Sequence, residues 1–169
     1  MSATPPRNAV VAFIGIGANL DDPIGKVRIA LNEIDRLPAT RVVRRSSLYR
    51  TAPVGYNDQP EFINAVAEVL TELEPRQLLD MLLAIEARHG RVRGARNAPR
   101  TLDLDVLLFG DRILTEPELS VPHPRMHERA FVLVPLAEIA PHASIPGHGS
   151  AAELAARVAR HGVTLVGPA

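Results

Sequence analysis

From residue 9 to residue 17 the chain reads AVVAFIGIG, a run of branched apolar residues ending in glycine, and this pattern predicts a buried strand. At Asp22 the period changes. An acidic cap, Pro23 in the first turn, and Ile24, Val27, Leu31 and Ile34 along one stripe predict an amphipathic helix that ends by Pro38. TRVVRRSSLYR, roughly residues 40 to 50, reads as a second strand, and TAPVGYNDQP (51–60) is so rich in turn formers that it must be a loop. In FINAVAEVLT, Ile63, Ala65, Ala67 and Val69 alternate with Phe62, Asn64, Val66 and Glu68, which predicts a strand with its apolar face at the odd positions. Pro75 opens a second helix with Leu78, Leu79, Leu82, Leu83 and Ile85 inward, closed by Gly90. An arginine-rich loop follows, and then PRTLDLDVLLFG (99–110) forms a further strand.

Strand, helix, strand, strand, helix, strand is the order of the ferredoxin-like βαββαβ unit. The expected class is therefore α+β, an antiparallel sheet with both helices on one face. Beyond this core, residues 121–147 predict two short helices bounded by proline-rich turns, and SAAELAARVARHG predicts a last amphipathic helix, giving a C-terminal helical extension over 142–169. No linker, repeat or low-complexity tract interrupts the pattern. One domain over 1–169 is expected, with residues 1–8 disordered.

Composition narrows the class. A chain of 169 residues is long enough for a real core, and a formal net charge of zero argues against nucleic acid or a membrane surface as partner. The absence of cysteine excludes disulfides and thiolate metal sites. The apolar stretch near the N-terminus is too short to span a membrane and lacks a cleavage site, which points to the cytoplasm. Lys26 is the only lysine, and GIGANLDDPIGK has the wrong spacing for a Walker loop.

Arginine carries the other positive charges, and Arg88, Arg91, Arg93, Arg96 and Arg100 crowd a window that contains no acid. Such a run is either a solvated basic loop or a clamp for polyphosphate, whose oxygens match the guanidinium fork. Just beyond it, Asp103 and Asp105 share one face of their strand, about 7 Å apart, with Leu102, Leu104, Val106 and Leu108 on the other. Either the two carboxylates pair with Arg93 and Arg100, or they hold a cation; oxygen donors alone favour Mg²⁺. The adjoining arginines favour the cation, because carboxylates for metal beside guanidinium groups for phosphate form the layout of a nucleoside triphosphate site.

RNAPRTLDLDVLL resembles the signature of the hydroxymethyldihydropterin pyrophosphokinase family. GIGANL, SSLYRTAPVG, DQPEFINAV, GRVR and VPHPRMHERAFVLVPLAEIAP are similar to further motifs of that family, in the same order, over about residues 11–141. The resemblance implies a ferredoxin-like fold. It also implies an ATP- and Mg²⁺-dependent transfer of diphosphate to the hydroxymethyl group of 6-hydroxymethyl-7,8-dihydropterin, releasing AMP, in folate biosynthesis. On this resemblance Asp103 and Asp105 hold two Mg²⁺ ions and act in catalysis with Arg91, Arg93 and Arg100. Glu86, Arg91, Arg93, Arg96, Arg100, His123 and Arg129 contact ATP, Arg91 and Arg93 lying in a mobile loop that closes over it. Phe62 and Phe131 sandwich the pterin, while Asn64, Thr51 and the backbone at Pro53, Val54 and Gly55 address its polar edge. The partners implied are these two small molecules, with weak association with neighbouring folate-pathway enzymes.

Taken from the residues alone, Phe62 and Phe131 fit core packing equally well, and His123 fits a turn between two prolines. The chain departs from the family pattern in an arginine loop one residue shorter, in Asn97, in Glu118 and in Leu83. Ala18 replaces a serine in a turn that Gly17 and Asn19 preserve. Two other classes stay in view, an RNA-binding domain of the same topology and a metal-dependent phosphohydrolase using the D-x-D pair.

Overall fold

The computed structural model describes residues 8–52, 60–90, 102–158 and 162–169. Branched apolar residues build β1 (Val10–Ala18), and the chain then turns into α1 (Pro23–Asp35), whose first turn is capped by the Asp22 carboxylate accepting from the Gly25 N–H. β2 (Thr40–Arg45), β3 (Leu48–Thr51) and β4 (Phe62–Thr71) follow, and α2 (Pro75–Arg88) opens on a capping box between Glu74 and Gln77. β5 (Asp103–Phe109) completes the core, a ferredoxin-like βαββαβ unit whose second strand is split into β2 and β3, both paired with β4.

Among the described residues the main sheet runs in the order β10-β3-β4-β1-β5, where β10 is Val163–Gly167, and β2 also pairs with β4. Every pairing in it is antiparallel. One face packs Ile14, Ile16, Ile63, Ala65 and Leu104 against α1 and α2, which bury Val27, Leu31, Leu78 and Leu82. The opposite face is covered too. Phe13, Val66 and Leu107 pack there against α3 (Ala130–Ile139) and α4 (Ala151–Arg157).

Three departures from the sequence pattern have physical causes. The stretch from 40 to 50 is two strands, because Arg45 pairs with Ala67 while Tyr49 pairs with Asn64, so four steps on one strand meet three on the other. Ser46 stitches this bulge: its N–H donates to the Val66 carbonyl and its hydroxyl accepts from the Val66 N–H. Leu108 leaves the face of Leu102, Leu104 and Val106 and joins Leu107 in the second cluster. The register slips there, since Phe13 pairs with Leu108 but Ile14 pairs with Val106.

The third departure is at the C-terminal end. Residues 121–147 hold a single 3₁₀ turn, Met126–Glu128, before α3, and then a small hairpin of β8 (Ser144–Ile145) and β9 (Gly149–Ser150). α4 stops at Arg157, and β10 pairs with β3, so the extension ends in a strand and not in a helix. Two further short strands, β6 (Leu114–Glu116) and β7 (Leu119–Val121), pair with one another after β5. Among the described residues no helix is long and apolar enough to cross a membrane.

Candidate active site

A cleft of about 680 Å³ opens between the second face of the sheet and the N-terminal end of α3. Its floor is built by three neighbouring strands. On the central one, Gly17 stands between Asn64 on β4 and Asp103 on β5, and Gly15 stands between Val66 and Asp105. Cross-strand partners point the same way, so the missing side chains of the two glycines leave a trough between an amide on one flank and two carboxylates on the other. A Cβ on Gly17 would come within 2.8 Å of the Asn64 side-chain oxygen, and one on Gly15 within 3.3 Å of Leu107. Gly17 therefore lies inside β1 as part of this floor, and not in the turn that the sequence motif suggested. Asn19, just beyond, donates from its side-chain nitrogen to the Pro60 carbonyl at 3.1 Å, tying the end of β1 to the entry of β4.

The amide flank is tightly held. Asn64 is buried and donates to the Thr51 hydroxyl at 2.6 Å, fixing its carbonyl oxygen over Gly17. Phe62 lies two residues earlier on the same face, and Phe131 enters from α3, where the Arg129 guanidinium lies 5.5 Å from its ring centroid.

On the other flank, Glu86 of α2 is only 3% exposed and accepts the Leu104 N–H at 2.7 Å. Leu104 is the residue between the two aspartates, so this carboxylate fixes the outer edge of β5 where Asp103 and Asp105 turn into the cleft. His123 faces Asp103 from the segment after β7. Its N–H donates to the Leu107 carbonyl and its Nδ1 accepts the Arg125 N–H at 3.2 Å, which leaves the ring hydrogen on Nε2. Burial lowers its pKa from 6.5 to about 4, with Arg129 and Arg125 adding to the effect and Asp103 opposing it. His123 is thus a neutral N–H donor at pH 7.

Thr51, Phe62, Asn64, Glu86, Asp103, Asp105, His123, Arg129 and Phe131 all line this one cleft. Arg91, Arg93, Arg96, Arg100, Asn97, Pro53, Val54 and Gly55 lie outside the described residues. Gly15, Gly17, Arg125 and Glu128 also line the cleft and were missed as site residues; the i, i+2 glycines of GIG have the same spacing as the D-x-D pair and carried the available signal. Among the described residues no three His, Asp or Glu side chains gather into a metal cage. Two carboxylates suffice for Mg²⁺ when phosphate oxygens and water supply the remaining ligands, so the donor set fits that ion.

A family model for 7,8-dihydro-6-hydroxymethylpterin-pyrophosphokinase (HPPK) matches residues 13–141. The chain belongs to this family. It is 48% identical over 151 residues to the 2-amino-4-hydroxy-6-hydroxymethyldihydropteridine pyrophosphokinase of Pseudomonas aeruginosa, covering 89% of this chain and 93% of that one. To the Haemophilus influenzae protein of the same name it is 43% identical over 159 residues, 94% of this chain and 99% of that one. The crystal structure of wild-type Plasmodium falciparum HPPK-DHPS with STZ-DHP matches with a TM-score of 0.67 at 15% identity, a likeness of fold that covers 88% of this chain and 41% of that longer one. The matched HPPK region includes every described site residue, from Gly15 on β1 to Phe131 on α3, whereas β10 lies beyond it.

Proposed function

We propose that this cleft transfers a diphosphate group from ATP to the hydroxymethyl oxygen of 6-hydroxymethyl-7,8-dihydropterin, with AMP leaving, as a step in folate biosynthesis. The observation that supports the reading is the trough of Gly15 and Gly17, which has Phe62 and Asn64 toward one flank and Asp103 and Asp105 on the other within one cavity. Phe62 and Phe131 stack on the two faces of the pterin, and Asn64, its amide pinned by Thr51, pairs with the polar edge. Leu79 and Leu83 of α2 give the opposite wall an apolar surface for the nucleobase, with Glu118 at its rim on the turn between β6 and β7.

Asp103 and Asp105 are the residues that hold Mg²⁺, which when bound neutralises triphosphate charge and lowers the barrier to attack at the β-phosphorus. His123 donates its Nε2 hydrogen to a phosphate oxygen, a bond that a neutral ring makes without a change of protonation at pH 7. Arg129 adds fixed positive charge beside it, and Arg91, Arg93, Arg96 and Arg100, which follow α2 in the sequence, supply further guanidinium groups. Glu86 contributes by holding β5 in place beneath the nucleotide. Positioning and charge neutralisation of this kind account for most of the catalysis in phosphoryl transfer.

An RNA-binding role is disfavoured by the covered second face, where Phe13 and Val66 are buried under α3. Product analysis separates the remaining readings. AMP should form from ATP only when the pterin is present, together with the pterin diphosphate. ATP cleavage at the same rate without pterin would instead establish a phosphohydrolase.

A further inference from the structure

Glu138 is an exposed residue near the C-terminal end of α3, outside the lining of the cleft, yet its carboxylate is committed to the sheet. One oxygen accepts the Ser47 N–H at 3.0 Å and the Tyr49 hydroxyl at 2.7 Å, and the other accepts the Ser47 hydroxyl at 2.8 Å. Hydrogen bonds to an ionised acceptor are about twice as strong as neutral ones, and here three converge on one side chain. Ser47 lies in the bulge between β2 and β3, which Ser46 locks onto Val66 of β4. Arg44 adds a second tie by donating to the Ile139 carbonyl at 2.9 Å, at the end of α3.

The carboxylate is linked in both directions to the pterin half of the cleft. Along the sheet, Tyr49 pairs with Asn64 and Thr51 pairs with Phe62, and the Asn64 amide donates to Thr51. Along the helix, Glu138 follows Phe131 by seven residues, two turns, so both lie on the same side of α3. Pro135 stands between them and has no N–H to give to the Phe131 carbonyl, so the first turn of α3 is held less by the helix itself and more by external ties.

We infer that Glu138 is a positioning residue for the pterin: by clamping α3 to the β2–β3 bulge it sets the gap between Phe131 above and Phe62, Asn64 and Thr51 below. The inference rests on the pterin placement proposed above. The aspartates, His123 and Glu86 lie on the far flank of the glycine trough and take no part in the clamp.

Steady-state kinetics of Glu138→Ala, Glu138→Gln, Tyr49→Phe and Phe131→Ala, each assayed well below its own melting temperature, test it. Glu138→Ala should raise the KM for pterin about fivefold or more while kcat and the KM for ATP stay within about twofold. Glu138→Gln, which keeps an acceptor for Tyr49, should recover part of the loss, and adding Tyr49→Phe to Glu138→Ala should cost little more. If Glu138→Ala does not fold, Tyr49→Phe, which removes a single O–H, must show the same split between the two substrates. An unchanged pterin KM in the clamp variants, with Phe131→Ala raising it, overturns the clamp and leaves the pterin placement intact. Equal increases in both KM values also overturn it, since they mark a general structural role. An unchanged pterin KM in Phe131→Ala overturns the pterin placement and the clamp together.

Discussion

Gly17 shows how much a single absent side chain decides. Its backbone is ordinary strand, so alanine there meets no conformational penalty; the obstacle is the Asn64 oxygen 2.8 Å from where a Cβ would sit. Asn64 cannot retreat freely, because its nitrogen is bonded to Thr51 at 2.6 Å. Gly17→Ala should therefore cost stability of about 1 to 3 kcal/mol, the range for overpacking, and weaken pterin more than ATP. Calorimetric titration of each ligand checks this, and an unchanged pterin affinity would show that the Asn64 amide is not a pterin contact. His123 yields a prediction in pH. Its folded pKa of about 4 lies below the ordinary 6.5, so between those values the unfolded chain takes up a proton that the folded chain resists. The contribution is fully present above pH 6.5 and is lost as pH falls through 4. Melting temperatures measured from pH 7 to pH 4 should thus fall more steeply for the parent than for His123→Asn, which retains an acceptor for the Arg125 N–H; equal slopes would place the acid sensitivity elsewhere.

At the scale of elements, β5 combines a buried apolar face with a chemical one, and the two make different demands. Leu104 and Val106 are buried in the core, whereas Asp103 and Asp105 are half-buried and line the cleft. Asp105→Ala should consequently cut diphosphate transfer by orders of magnitude, through several kcal/mol of lost charge stabilisation, with a change in stability of roughly 0.5 kcal/mol or less. AMP production beside a thermal melt measures both. A variant that melts several degrees lower but turns over normally would make the pair a structural device. The period of two was enough to put both aspartates on one face, because alternation needs only local geometry. It failed at Leu108 and at Ser46–Ser47, where the register slips by one residue. A bulge of this kind is a decision about the partner strand, and nothing within the six residues around it announces that decision. β10 escaped for the same reason: VTLVG has no alternation of its own and becomes a strand by pairing with β3. Among site residues, Asp103, Asp105, Phe62 and Asn64 stood out by type and spacing, but the glycine floor became meaningful only once β1 was seated between β4 and β5.

At the scale of the whole molecule, the position of β1 between β4 and β5 divides the cleft in two. Among the described residues, the phenylalanines and the amide proposed for the pterin lie toward β3, β4 and α3; the carboxylates, the glutamate that steadies their strand and the apolar wall proposed for the nucleobase lie toward β5 and α2. If that division is functional, damage to one side should remain on that side. Phe62→Ala removes a ring from the sheet side of the proposed pterin pocket and should forfeit roughly 0.5 to 1.5 kcal/mol of stacking beyond the loss of buried area, a several-fold to tenfold loss of pterin affinity. The affinity for a non-hydrolysable ATP analogue with magnesium should hardly change, since Phe62 is separated from Asp103 by the full width of β1. Asp103→Ala should produce the opposite pattern, weakening the nucleotide while leaving binding of pterin alone within about twofold, because in the proposed arrangement the lost carboxylate serves the phosphates and not the ring. The measurement is a pair of binding titrations on each variant, with every ligand tested separately before the two are combined. Parallel losses for both ligands in either variant would mean that the cleft responds as one body and that the trough of Gly15 and Gly17 does not separate its two halves.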